Sequence, residues 1–312
     1  MPETVELRLG TRSSPLAMAQ AVEARARLCA AHNWHESAVE LVPVVASGDK
    51  VQDRPLAEIG GKALWTKELD AWLAEGRIDA AVHSMKDVET TRPPSLAIAA
   101  ILPRADVRDV LVGAASIGDL PHGARVGTSA PRRAAQVLHA RPDCTIVPFR
   151  GNVATRLAKL EAREADATLL AAAGLGRLGE SAVGTPLDYD QWLPAPAQGA
   201  IGVECNASDE RTRALLAAVD DAASHVQVMA ERALLAALGG TCHSPIAMVS
   251  HLAGDRLTLR AALFSPDGTE RVESTAVFAA GDTDAPRTLA RDLLAEAGPA
   301  ITAHFHGPES AT

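Results

Sequence analysis

Eight cations, Arg12, Lys62, Lys86, Arg132, Arg133, Arg150, Arg156 and Arg177, fall at the C-terminal ends of predicted strands or the starts of predicted helices. In open α/β sheets that edge is where ligands bind. One arginine at a helix start is ordinarily solvated. Eight at equivalent places, in a chain of net charge −9, point to a ligand with several carboxylates or phosphates. Guanidinium forks suit carboxylates bidentately, and no P-loop is present, so carboxylates are favoured over nucleotide phosphate. A carboxylate, Asp87, follows Lys86 just after the predicted strand Ile78–His83, and should project from that strand's end into a ligand cleft.

Two other motifs invite chemistry. Gly174-Leu175-Gly176-Arg177-Leu178-Gly179 matches the dinucleotide fingerprint and follows a strand. The fingerprint also needs a helix opening at once and an acid about twenty residues on. Gly184 and Pro186 stop such a helix, so a tight turn presenting Arg177 is the expectation. Cys242-His243 suggests a thiol nucleophile, but adjacent loop residues rarely reach each other for general-base activation. A free Cys is ordinarily a small core residue. Here Gly239-Gly240-Thr241 before it and Ser244-Pro245 after it make a turn-rich loop in which the thiol is reachable.

The elements that position these groups alternate. Val5, Leu7 and Leu9 form a strand; Ser14-Pro15 opens a helix to about Cys29, with Ser as N-cap and Pro at the first helical position. A strand over Val39–Val45 leads into loop chemistry from Ser47 to Lys62, then a helix Ala63–Glu75 and the strand Ile78–His83. Apolar, extended segments from Leu96 to Val112, broken by Pro103, cross into a second domain. There a strand ends at Val126, a helix runs from Pro131 through Leu138, and a strand Thr145–Phe149 meets a helix capped by Asn152. A strand over Asp166–Ala172 follows. Gly10-Thr11-Arg12-Ser13-Ser14-Pro15 and Gly127-Thr128-Ser129-Ala130-Pro131 form a weak repeat, each linking a strand to a helix. Two related α/β domains would each aim a helix N-terminus at an anion. The strand Ala200–Glu204 returns to the first domain. A third unit begins at a capping box, Ser224-x-x-Gln227. Its helix ends at Gly239-Gly240, and alternating stretches Leu257–Leu263 and Val272–Phe278 and a helix Pro286–Glu296 follow.

With 312 residues the chain suits two to three domains, and it can bury a core without staples. Its 47% hydrophobic and 22% charged residues are those of a soluble globular protein. The acidic balance argues against non-specific nucleic-acid binding. The four cysteines, Cys29, Cys144, Cys205 and Cys242, form no zinc pattern and suit a reducing compartment. No signal peptide and no long apolar span is visible, so a cytoplasmic chain with no membrane partner and no metal is expected.

Gly60-Gly61-Lys62, His83-Ser84-Met85-Lys86-Asp87, Gly127-Thr128-Ser129 with Arg132-Arg133, Arg150-Gly151-Asn152 with Arg156, Gln198-Gly199-Ala200 and the Cys242 loop occur in that order. Together they resemble the porphobilinogen deaminase (hydroxymethylbilane synthase) family from end to end. Trp65, Gly176 and the Thr241-Cys242-His243 run depart from the family's usual residues, and none of them removes a charged site residue.

The resemblance implies a fold of two periplasmic-binding-protein-like α/β domains with a central cleft, plus a small C-terminal α+β domain. The expected bounds are 1–101 with 199–219, then 102–198, then 220–306, with a disordered tail over 307–312. It implies one dipyrromethane cofactor per chain, in thioether linkage to Cys242, with Asp87 as the catalytic carboxylate. Ser84, Lys86, Thr128, Ser129, Arg132, Arg133 and Arg156 would bind the cofactor. Arg12, Ser14, Gln20, Arg150 and Arg177 would bind porphobilinogen, and Lys62 and Gln198 would line a lid or its surroundings. The implied reaction is a stepwise condensation of four porphobilinogen molecules, with release of ammonia, to the linear tetrapyrrole hydroxymethylbilane, by a monomer. Two competing readings are a non-catalytic anion-binding module, with no covalent adduct, and a thiol-dependent hydrolase.

Overall fold

The computed structural model describes residues 5–44, 66–241, 243–305 and 307. It divides into two compact units, 1–105 with 199–225 and 106–198 with 226–312. The loop read over Ser47–Lys62, the cation Lys62, the thiol Cys242 and the tail beyond 307 lie outside the described residues or at their edge.

In the first unit, β1 (Leu7–Arg12) passes through Ser13 and Ser14 into α1 (Pro15–His32). The Ser14 hydroxyl accepts from the Ala17 N–H at 3.4 Å, as the Ser-Pro pair predicts. Asn33, in the left-handed region at φ 54°, ends the helix. Then come β2 (Val39–Val44), α2 (Lys67–Ala74), β3 (Ala80–Ser84), β4 (Leu96–Ile101), β10 (Ile201–Asn206) and α6 (Glu210–Ala217). The sheet order is β2-β1-β3-β10-β4. β1 runs parallel to β2 and β3, while β10 is antiparallel to β3 and β4. One face buries Leu7, Leu9, Ala80 and Val82 with Ala21, Ala24, Leu28 and Leu216; the other packs Val44, Ile78 and Ala81 on Leu69 and Leu73.

The second unit repeats that plan. β5 (Asp109–Val112), β6 (Arg125–Gly127), β7 (Thr145–Val147), β8 (Ala167–Ala171) and β9 (Thr185–Pro186) order as β7-β6-β8-β5-β9. Again three parallel strands, β7, β6 and β8, are followed by an antiparallel return strand, here β5. The helices are α3 (Pro131–Ala140), α4 (Val153–Glu161) and α5 (Ala172–Arg177). The weak repeat of strand-to-helix turns is thus matched by strand order. Asn152 caps α4 through a 2.9 Å bond from the Thr155 N–H. Gly127 lies against the Phe149 ring, where any Cβ would collide.

The same unit holds a three-stranded antiparallel sheet, β11 (Ile246–Ala253), β12 (Arg256–Phe264) and β13 (Arg271–Ala279), with α7 (Ala222–Ala237), α8 (Ala285–Glu296) and α9 (Pro299–Thr302). Its core joins Leu234 and Leu238 of α7 and Leu289 and Leu293 of α8 to Leu257, Leu259 and Leu263 of β12.

Two local readings are corrected. Ser224-x-x-Gln227 is not the capping box of α7: the helix starts earlier, and Asp221 caps it by accepting from the Ser224 N–H at 2.8 Å. The Ser224 hydroxyl instead accepts from the Arg104 N–H at 2.9 Å, and Gln227 donates to the Ser250 carbonyl. An aspartate one turn upstream accepts the same orphan donors better than a serine already inside the helix. The glycine run 174–179 is a turn only in its last residues. Gly174 to Arg177 belong to the six-residue α5, which continues directly from β8, and Leu178 and Gly179, φ 77°, form the turn after it.

Candidate active site

The parallel pairing of β1 with β3 sets their C-terminal ends side by side, with Leu9 opposite Ala80 and Gly10 opposite Ala81. Beyond those ends lies a pocket of about 50 Å³. Its walls include Arg12 from the end of β1, Ser14 and Gln20 from α1, Thr66 before α2, and His83, Ser84 and Asp87 from β3 and the turn after it. Five residues expected to handle ligand, Arg12, Ser14, Gln20, Ser84 and Asp87, therefore share one pocket. The turn is a short 3-10 helix, Met85–Asp87. Its start is fixed by the Met85 N–H donating to the Ala200 carbonyl at 3.1 Å, and Gly202 leaves room for the Met85 side chain, where a Cβ would strike the sulfur. Lys86 sits in the same turn but is not among the residues lining the pocket. Thr66 and His83 also line it; neither was given a ligand role, though His83 opens the His83–Asp87 motif.

In the second unit Thr128 follows β6 and is buried, its hydroxyl accepting from the Ala130 N–H at 3.2 Å, while Ser129 is exposed. Arg132 and Arg133, in the first turn of α3, are each only 5% exposed. They converge on a residue the sequence reading missed. Asp109, the first residue of β5 and fully buried, takes Arg132 at 2.8 Å on one oxygen and Arg133 at 2.6 Å on the other. Trp192 Nε1 donates to Asp109 at 2.8 Å and Gln198 Nε2 at 2.9 Å. Arg132 also donates to the Leu193 carbonyl at 2.8 Å and Arg133 to the Leu169 carbonyl at 2.7 Å. Burial pushes Asp109 up, but the two guanidiniums outweigh it and hold the carboxyl far below the usual range. Burial lowers Arg132 in turn.

One guanidinium remains in excess of that carboxylate. Arg133 Nε is buried with no hydrogen bond, and so is Nη1 of Arg150. Unpaired buried donors of positive charge are costly, and an anion relieves them. Arg156 donates through Nε to the Gly151 carbonyl at 3.0 Å, beside the N-terminus of α4. Arg177 ends α5. The thiols of Cys144 and Cys205 are buried, and burial pushes Cys205 up to about 11, so neither is a nucleophile at neutral pH. Among the described residues no group of His, Cys, Asp and Glu gathers to hold a metal ion.

Residues 7–214 match the family model described as porphobilinogen deaminase, dipyrromethane cofactor binding domain, and residues 225–297 match that family's C-terminal domain. The chain belongs to the porphobilinogen deaminase family. A porphobilinogen deaminase of Sphingopyxis alaskensis is 56% identical, over 96% of this chain and 96% of that one. The porphobilinogen deaminase of Paracoccus denitrificans is 51% identical over 93% of this chain and 94% of its own length. Among solved structures, the periplasmic VFT2 domain of Bordetella pertussis BvgS has a TM-score of 0.40 and 14% identity, over 68% of this chain and 86% of that one. In this member of the porphobilinogen deaminase family the pocket lined by Asp87 belongs to the first unit and the buried arginine pair to the second.

Proposed function

We propose that the chain is a hydroxymethylbilane synthase, a transferase that condenses four porphobilinogen molecules, with loss of ammonia, into a linear tetrapyrrole. The observation that carries the reading is the pocket in which Asp87 shares walls with Arg12, Ser14, Gln20 and Ser84. A substrate with an acetate and a propionate suits a guanidinium beside hydroxyl and amide donors. A cationic centre formed when the amino group of its aminomethyl arm leaves as ammonia, the methylene staying on the ring, suits a carboxylate.

A dipyrromethane, made of two substrate units, carries four carboxylates. The excess guanidinium at Asp109, the unfilled Arg133 Nε and the unfilled Arg150 Nη1 fit such a group. Arg132, Arg133, Arg156, Thr128 and Ser129 would hold its carboxylates, with Ser84 and Lys86, and Cys242 would carry it as a thioether. When bound, it supplies a nucleophilic pyrrole carbon at the free end of the chain being built. Arg12, Arg150 and Arg177 anchor substrate carboxylates by charge-assisted bonds of about 1.5–3 kcal/mol each. Ser14, at the start of the long helix α1, adds a hydroxyl beside a helix N-terminus that favours anions. Asp87 accepts the pyrrole N–H, opposes the positive charge as it develops and takes up the proton released on bond formation. Gln198, tied to Asp109, steadies the arginine pair, and Lys62 is assigned to a lid. The domain bounds 1–101 with 199–219, 102–198 and 220–306, a cytoplasmic location and a monomeric state belong to this proposal. Its support is the family membership together with the absence, among the described residues, of any helix long and apolar enough to cross a membrane.

Asp87→Asn keeps the side chain's shape and removes its charge. Turnover of porphobilinogen should fall by about two to three powers of ten, the cost of removing a preorganised group at a developing charge. The variant should still purify with the two-pyrrole adduct. A deficit under about tenfold makes Asp87 a bystander.

A further inference from the structure

Five residues beyond Asp87 the chain reaches Arg92, which no ligand role above uses. Its side chain is 8% exposed and touches four others. Nε and Nη2 grip both oxygens of Glu204 on β10, at 2.9 and 2.8 Å. Nη2 also meets Asp70 of α2 at 2.5 Å, and Nη1 meets Glu89 at 2.6 Å and the Thr66 hydroxyl at 3.3 Å. Thr66 in turn donates to Glu89 at 2.9 Å. Burial opposes the charge on Arg92, and the Glu204 and Asp70 carboxylates more than restore it. His83 Nε2 stands 3.5 Å from Glu204, too far for a good hydrogen bond.

Thr66 and His83 are members of this cluster and also walls of the Asp87 pocket. The turn bearing Asp87 is therefore tied at both ends. Before it, Met85 is bonded to Ala200. After it, Arg92 joins the chain to a strand and a helix through a planar fork whose geometry a lysine ammonium lacks.

We propose that Arg92 is a positioning residue for Asp87: by clamping the segment after the turn to β10 and α2 it fixes where the carboxylate sits in the pocket. The inference rests on the reading of Asp87 as the catalytic carboxylate. Loss of the clamp leaves the ligand-binding cations in place, so it should act on turnover and leave substrate affinity and cofactor content alone. Displacement of a reacting group by about 1 Å is enough for losses of order 10²-fold.

The test uses the full-length, cofactor-loaded enzyme with Arg92→Lys, Arg92→Gln and the pair Arg92→Gln/Glu204→Gln. The pair removes a cation and a carboxylate together and so keeps the cluster's net charge, whereas the single glutamine variant leaves three carboxylates facing one another. Intact mass, KM and kcat with porphobilinogen, and Tm are read for each. The expected result is full cofactor loading and a KM within about threefold, with kcat down roughly 10- to 100-fold in both the lysine variant and the pair. Wild-type kcat in either variant overturns the proposal, because charge balance alone would then suffice. A fall in kcat that tracks lost cofactor or lost folded protein overturns it too. Asp87→Asn is measured alongside: if that variant keeps wild-type turnover, the reading of Asp87 fails, whatever Arg92 does.

Discussion

Arg132 and Arg133 were visible as adjacent cations at a helix start, but the sequence does not reveal that both end in the interior. The reason is Asp109, about two dozen positions upstream at the head of the apolar strand Asp-Val-Leu-Val, where a carboxylate reads as the loop's last residue. Only the antiparallel pairing of β5 with β8 places it beneath α3. Its four donors make it the hub of the arginine pair. Asp109→Asn should therefore strand two buried guanidiniums and cost about 3–5 kcal/mol, the loss seen when one partner of a buried charge cluster is removed. Urea denaturation of the variant reads it directly, and a loss below about 1 kcal/mol would show that the arginines stand without Asp109. At Asp87 the opposite holds. Strand and carboxylate were legible in the run His83 to Asp87, because these residues follow one another in the chain, whereas the contacts that fix the turn, Met85 to Ala200 and the Arg92 clamp, are long-range.

At the scale of elements, Ser14-Pro15 and Asn152 gave helix starts that the structure keeps, since each cap acts within its own turn. The start of α7 was misread because two polar residues compete there and tertiary contacts decide: Ser224 is used by Arg104, which frees Asp221 to cap. The helix α6 and strand β11 went unread. The first is short, and the second, Ile-Ala-Met-Val-Ser-His-Leu-Ala, alternates only weakly. The clamp between α2, β10 and the Asp87 turn was likewise hidden, because its members are scattered from 66 to 204. It carries a pH signature. Burial pushes Glu204 up, but His83 and Arg92 reverse that and hold it down at about 2. A carboxyl with a lowered folded pKa stabilises above its unfolded value and loses that contribution as pH falls through the folded one. The window here runs from about 4.5 down to about 2. Asp70, raised by burial, works in the opposite direction and offsets part of it. Urea midpoints followed across that window should drop steeply in the parent chain. Glu204→Gln should flatten the drop by roughly 2–3 kcal/mol. A pH dependence unchanged by that substitution would mean that Glu204 titrates as it does in the unfolded chain.

For the whole molecule, the alternation of strands and helices and the return of the strand Ala200–Glu204 to the first sheet were readable, and the weak repeat of strand-to-helix turns pointed to two related α/β units, whose sheets have like strand orders. The pattern survives because parallel β-α-β units impose hydrophobic periods on the sequence. What the periods could not convey is which polar side chains each sheet buries, and those are the residues that set the charge inside each unit. The central claim is that this chain is a transferase building on a primer it carries covalently through Cys242. Intact mass spectrometry of the purified full-length protein and of Cys242→Ser addresses it most directly. The account predicts a parent chain heavier than its sequence by one two-pyrrole adduct, and a serine variant at the bare sequence mass, since a hydroxyl is a far weaker nucleophile than a thiolate. A parent chain at the bare sequence mass after incubation with porphobilinogen, or an adduct that persists in the serine variant, would contradict it.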